Sequence, residues 1–234
     1  MSNLLSADNL DGRLLFAIPK KGRLYEKCLE LLQGGDIQFK RQHRLDVALV
    51  QNFPMALVFL PAADIPRFVG EGNVDLGITG QDMVAEAGEK VSGLIEEVME
   101  LGFGKCQLQV QIPDPDLPGA GSKPTPRSEQ LTAASGSGTS TPRAPIRTQE
   151  DLVGLKIATS FDFLAGQHFN RLDAQVSQQR VAEGKRRADE GPLKTTIEYV
   201  GGSVEAACAL GLADGIVDLV GELPSRLCAQ SWSS

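Results

Sequence analysis

Arg13-Leu-Leu-Phe-Ala-Ile-Pro19 runs directly into Lys20-Lys-Gly-Arg23, after which Leu24, Cys28, Leu31 and Leu32 recur at helical spacing. A short, continuously apolar run reads as a strand buried on both faces. The basic, glycine-containing turn is its exit, and Gly34-Gly35 stop the helix that follows. The same rhythm continues outward. Met55-Ala-Leu-Val-Phe-Leu60 is a second buried strand, and 62–72 a helix with Ile65, Phe68 and Val69 facing inward. Val74-Asp-Leu-Gly-Ile-Thr79 is a third strand, followed by a helix over 81–87. Strands alternating with helices predict an α/β fold with parallel or mixed sheets and helices on both faces.

Beyond this set, Cys106-Gln-Leu-Gln-Val-Gln-Ile112 alternates with period two, as a half-exposed strand or one crossing between lobes does. The segment 113–147 holds seven of the chain's 13 prolines and few large apolar residues. It cannot bury enough surface to offset its ordering entropy, so it is expected to be a disordered insertion, with a functional loop as the rival. Thr148-Gln-Glu-Asp151 carries a helix-start pattern. A strand at 155–159, a helix from Phe161 to about Leu172, a charged insert at 173–194, a strand at 195–200, a helix at 204–210 and a last strand at 215–220 complete a second set. The expected organisation is two α/β lobes, 1–105 and 106–220, with a cleft between them and a tail at 221–234.

The 234 residues are 41 % apolar and 23 % charged, as in ordinary globular proteins. A formal charge of −7 argues against a sequence-independent grip on nucleic acid. Locally gathered cations and backbone N–H groups still allow phosphate binding. The four cysteines form no C-x-x-C pair and there are only two histidines, so a zinc site has no support. Free, mostly buried thiols in a reducing compartment are expected. No apolar run is long enough to span a membrane, and Met1–Asp11 lacks a secretory pattern, so the expected location is the cytoplasm.

Lys20, Lys21, Gly22 and Arg23 sit between a strand and a helix, where open α/β sheets bind ligands. Gly22 lets a ligand approach the backbone, and the helix start offers free N–H groups. A solvated basic turn is the plainer alternative. Asp75 and Thr79 are polar residues in an apolar strand; Asp75 either serves a pocket or caps local backbone groups. Gly201, Gly202 and Ser203 suit an anion or a simple helix cap. Asp218 repeats the pattern of an acid within an apolar strand. Arg41, His43 and Arg44 either face a polyphosphate or form a solvated face.

Five strings then become specific: Lys21-Gly-Arg-Leu24, the run from Ala62 to Gly80, Leu101-Gly-Phe-Gly-Lys-Cys106, the run from Tyr199 to Ala207, and the run from Leu210 to Val220. Together they resemble ATP phosphoribosyltransferase, the first enzyme of histidine biosynthesis. The inserts and the doubled Lys20-Lys21 look like a fungal member. The resemblance implies two lobes like a type II periplasmic binding protein. It also implies transfer of phosphoribose from phosphoribosyl pyrophosphate to N1 of ATP, Mg²⁺ accompanying the pyrophosphate, and a homo-oligomer in the full-length family. By matching position, Lys21, Gly22 and Arg23 would meet substrate phosphates, Lys21 and Arg23 taking the catalytic part. Asp75, Leu76 and Thr79 would sit at the nucleotide pocket, and Asp218 would open the loop for phosphoribosyl pyrophosphate; Gly201 and Ser203, as the anion-suited strand exit, are expected to bind substrate.

The sequence departs from the family after Val220. A turn of the form Glu-Ser/Thr-Gly-x-Thr, whose N–H groups and hydroxyls hold a 5′-phosphate, is expected there. Gly221-Glu-Leu-Pro-Ser-Arg226 stands in its place, and Pro224 removes a donor. Three roles follow as expectations: an enzyme of this family, poorly active in the present form; a non-catalytic or regulatory chain of the same family; and, disfavoured, a solute-binding protein of the same fold.

Overall fold

A computed structural model describes residues 10–42, 45–112, 146–185, 191, 193–202, 204–221 and 229–231. The chain forms two compact units, Met1–Gly104 and Lys105–Ser234.

In the first unit β1 (Leu14–Pro19) leads into α1 (Arg23–Gly34), then β2 (Val47–Leu49), β3 (Met55–Leu60), α2 (Ile65–Gly70), β4 (Leu76–Gly77), α3 (Gln81–Glu86) and α4 (Glu89–Ser92). The sheet order is β2-β3-β1-β4. β1 lies parallel to both β3 and β4, and β2 runs antiparallel to β3. Strand alternation sorts the apolar side chains onto two faces. Phe16, Ile18, Leu57 and Phe59 pack with Cys28 and Leu32 of α1. Ala17, Leu15, Val58 and Leu60 pack with Ile65, Phe68 and Val69 of α2. The two helices therefore cover opposite faces.

Gly77 permits this close helix–sheet approach. A Cβ at Gly77 would stand 2.5 Å from Ile65 Cγ2 and 3.1 Å from Val69 Cγ2. Gly77→Ala is accordingly expected to destabilise the first unit by about 2 kcal/mol through overpacking. Urea unfolding checks it, and an unshifted midpoint would show that α2 yields freely.

In the second unit β5 (Cys106–Gln111) precedes a 3₁₀ turn (Gln149–Leu152), β6 (Lys156–Thr159), α5 (Asp162–Ala182), β7 (Thr196–Tyr199), α6 (Val204–Ala209), β8 (Gly215–Gly221) and β9 (Ala229–Ser231). The sheet order is β7-β6-β8-β5-β9. β6 is parallel to β7 and β8, while β5 is antiparallel to β8 and β9. α5 packs Ala165, Phe169, Leu172 and Val176 on one face with Ile157 and Val217. α6 packs Val204 and Ala207 on the other with Ala158 and Ile216. The order β7-β6-β8 repeats β3-β1-β4, so the mirrored strand–helix sets of the sequence have one shared topology.

The α/β class is as expected, and so are most of the elements; the differences have physical causes. β4 is two residues long, shorter than the strand read over 74–79. α5 runs ten residues beyond the expected end at Leu172, so the first part of the 173–194 stretch is helix, with Asp173 and Val176 buried. Asp173 is buried there because Thr195 satisfies it. Its carboxylate accepts from Thr195 N and from Thr195 Oγ1, both at 2.6 Å. The 3₁₀ turn starts with the expected cap, a reciprocal box between Thr148 and Asp151. β2 is antiparallel and too short for a periodic signal. β9 pairs within what the sequence offered only as a tail. Cys28 is buried, Cys208 half-buried and Cys106 exposed, so the thiols are less uniformly interior than expected. The segment 113–145, the charged residues 186–190 and Cys228 lie outside the described residues. Among the described residues no helix is long and apolar enough to cross a membrane.

Candidate functional site

Each unit contains a place where neighbouring parallel strands send their chains to opposite faces. β1 exits to α1 on one face, while its neighbour β3 exits to α2 on the other. β6 and β7 diverge in the same way to α5 and α6. At such a switch the departing loops leave a crevice beyond the carboxyl ends of the strands, where α/β proteins bind ligands.

In the first unit this crevice is flanked by Lys20–Arg23 and by the residues after Leu60. The Lys20 amide donates to Leu60 O at 2.8 Å, which ties the two exits together. Gly22 has φ 87° and ψ −179°, a conformation essentially restricted to glycine. It turns the chain so that the 12-residue α1 begins at once, without a side-chain cap on its first N–H groups. Those donors, together with the helix dipole, favour an anion. Lys21 and Arg23 are exposed. Neither they nor Lys20 pairs with a carboxylate among the described residues. The turn therefore carries unneutralised positive charge at a crevice in an acidic chain.

Thr79 belongs to the same end of the sheet. Its Oγ1 donates to Ala62 O at 2.8 Å, joining the exit of β4 to that of β3. Asp82, in the first turn of α3, is pushed above the usual carboxyl range by burial, against hydrogen bonds from the Met83 amide and its own. Asp75 is placed elsewhere. Its Oδ2 accepts from the Leu15 amide at 2.7 Å, and its own amide donates to Leu15 O at 3.0 Å. Five strand residues, roughly 16 Å, separate Leu15 from Lys20. Asp75 thus holds the amino ends of β1 and β4 together, the local capping role, and does not join Lys21 and Arg23. Leu76 pairs with Phe16 and packs into the α1-side core.

In the second unit Gly201 is exposed just past β7, and the Val200 amide donates to Thr159 O at 2.8 Å. Ser203 lies outside the described residues, as do His43 and Arg44. Asp218 is the first β8 residue beyond its last pair with β6, Val217 opposite Thr159. Burial raises its carboxyl above the usual range, the Leu219 amide partly offsets this at 2.8 Å, and Glu205 pushes the same way as burial. Opposite it in register stands Gln109, a buried side chain whose Oε1 has no hydrogen-bond partner among the described residues.

Sequence reasoning undervalued Arg41. Its guanidinium carbon lies 4.0 Å from the Phe59 ring centroid and 5.9 Å from that of Tyr25. Only the residue types signalled this, because a cation stacked on a buried ring requires knowing which ring is near. A shallow hollow lined by Leu29, Gln33, Ile37, Gln38, Phe39 and Gln51 adjoins the carboxyl half of α1, away from the crevice. Among the described residues no three of His, Cys, Asp and Glu gather as metal ligands.

Comparison with known proteins agrees with these strings. Residues 61–222 match the sequence model of the family described as HisG, ATP phosphoribosyltransferase. The ATP phosphoribosyltransferase of Schizosaccharomyces pombe is 50 % identical over 217 residues, covering 91 % of this chain and 58 % of that protein. That of Yarrowia lipolytica is 49 % identical over 213 residues, covering 91 % of this chain and 57 % of its own. The chain thus spans just under three fifths of the length of these curated relatives. Among solved structures, a chain of the ATP phosphoribosyl transferase (HisG:HisZ) complex from Thermotoga maritima is 21 % identical, with a TM-score of 0.49 over 89 % of this chain and 75 % of that one.

Proposed function

The chain belongs to the ATP phosphoribosyltransferase family, and on that footing we propose that it binds ATP and phosphoribosyl pyrophosphate and joins them in the first step of histidine biosynthesis. The lone pair of adenine N1 forms a bond to C1′ of the sugar as the bond from C1′ to the pyrophosphate oxygen breaks. The electron pair of the broken bond leaves on pyrophosphate, and the products are phosphoribosyl-ATP and pyrophosphate. Mg²⁺ enters on the pyrophosphate oxygens, as part of the substrate.

The supporting observation is the first switch crevice, where Lys20, Lys21 and Arg23 have no acid partner among the described residues, beside the uncapped start of α1. Two polyanions must be held with N1 and C1′ in line, so positioning supplies much of the rate. Charge growing on the leaving group calls for cations and backbone donors already in place. In our reading Lys21 and Arg23 meet that charge, Gly22 admits the phosphates to the backbone, and Thr79 keeps the facing exit in place. Gly201, Ser203 and Asp218 serve the second substrate. Asp75 and Leu76 keep the sheet in register and do not enter this assignment. Location in the cytoplasm and assembly with further copies belong to the same proposal.

The sequence after Val220 favours a second reading, in which the chain binds nucleotide without turnover, because Pro224 stands where a phosphate-holding donor is expected. Incubation with ATP and phosphoribosyl pyrophosphate, followed by chromatography for phosphoribosyl-ATP, separates the two readings. Calorimetric titration with ATP tests what they share. Arg23→Ala is expected to weaken binding of phosphoribosyl pyrophosphate, whose leaving group it meets, about tenfold, the loss of one charge-assisted contact. Unchanged affinity would remove Arg23 from the site, and wild-type chain that binds neither substrate would sink both readings.

A further inference from the structure

We infer that Arg41 is a diphosphate-contacting residue of the first crevice, with its guanidinium pre-aimed by Phe59 and Tyr25. This rests on the polyphosphate reading above and adds a residue that the family strings did not supply.

The placement follows from register. Phe59 pairs with Ile18, one residue short of the ends of β3 and β1. Tyr25 lies in the first turn of α1, three residues after Gly22. The Phe59 amide donates to Asp46 O at 2.7 Å, which brings the far end of the 41–46 segment to the same level of the sheet. Arg41 therefore stands at the carboxyl rim, on the α1 side, close to the turn that carries Lys21 and Arg23.

The chemistry points the same way. The Arg41 side chain is 28 % exposed, so its charge is partly withdrawn from water. Its Nε donates to Leu45 O at 3.3 Å, an acceptor without charge. Its acid partner is Asp46, 3.5 Å away with a side chain 60 % exposed, and so long and wet a pair neutralises little. The aromatic faces of Phe59 and Tyr25 hold the cation by their quadrupoles and fix the plane of its fork. A planar, stacked guanidinium with donors to spare is suited to phosphate oxygens, and lysine cannot reproduce it. With Lys20, Lys21 and Arg23 on the same rim, the fitting ligand carries several negative charges close together, as a diphosphate does. ATP and phosphoribosyl pyrophosphate both contain one.

Inorganic pyrophosphate and ATP are titrated separately into wild-type chain, Arg41→Gln and Arg41→Lys, with urea unfolding run on each. Arg41→Gln is expected to lose about tenfold affinity for both ligands, one charge-assisted contact. Arg41→Lys keeps the charge but loses the fork, and is expected to lose most of that affinity while unfolding near the wild-type midpoint. Should Arg41→Gln fail to fold, Arg41→Lys decides. Wild-type binding with unchanged affinity in a folded variant overturns the role of Arg41 and leaves the proposed function standing. Wild-type chain that binds neither ligand overturns both. Loss for ATP alone, with pyrophosphate unaffected, overturns the diphosphate contact.

Discussion

Asp173→Ala is expected to lower the stability of the second unit by about 3 kcal/mol, because it strands two buried donors at once. Asp173 and Thr195 are both buried. The carboxylate receives the Thr195 amide and hydroxyl, and Thr195 Oγ1 in turn accepts from the Gly154 amide at 3.0 Å. One acid thereby fastens α5 to the approach of β7 and to the turn before β6. Losses of this size are large against the roughly 5–15 kcal/mol that holds a domain together. Thermal or urea unfolding measures it. Asp173→Asn, which keeps one acceptor, should retain part of the stability. An alanine variant as stable as wild type would mean that water replaces the carboxylate without penalty.

Phe59→Ala is expected to cost about 4 kcal/mol, in the range for removing a fully buried aromatic. Phe59 has no exposed surface and meets Phe39 and Tyr25 with ring centroids 6.2 Å and 6.3 Å away. The same change removes the platform beneath Arg41, so ATP affinity should fall in whatever fraction remains folded. Phe59→Leu separates the two effects. It refills most of the volume, recovering stability, but offers no aromatic face to the guanidinium. Stability and affinity recovering together in Phe59→Leu would mean the stack plays no part in binding.

The sheet-forming runs were legible because each is a short apolar block between a turn and a helix. The turn at Gly22 was legible for the same reason, since a glycine between a strand and a helix marks a sharp change of direction, and its φ of 87° is one that glycine adopts readily. Asp75 was not, because an acid in an apolar strand looks identical whether it faces a ligand or a neighbouring amide. Only the Leu15 hydrogen bond distinguishes them. The burial of Asp173 was not legible either, because it falls in the stretch expected as a charged insert and its satisfying partner sits 22 residues away. Arg41 shows a third limit, since a stacked cation has no spacing rule.

β5 opens the second unit in the chain but lies in its sheet between β8 and β9. Its ladder with β8 joins Cys106 to Gly221 and Gln111 to Ile216, more than a hundred residues apart. The first unit's widest parallel pairing, Phe16 with Leu76, spans far less chain. Closing distant partners is slow because the entropy of bringing them together comes before any contact rewards it. As the polypeptide emerges from the ribosome, the first unit has its strands early. β5 must wait, edge unpaired, until β8 has been made, and that interval is when the nascent chain is most open to wrong partners.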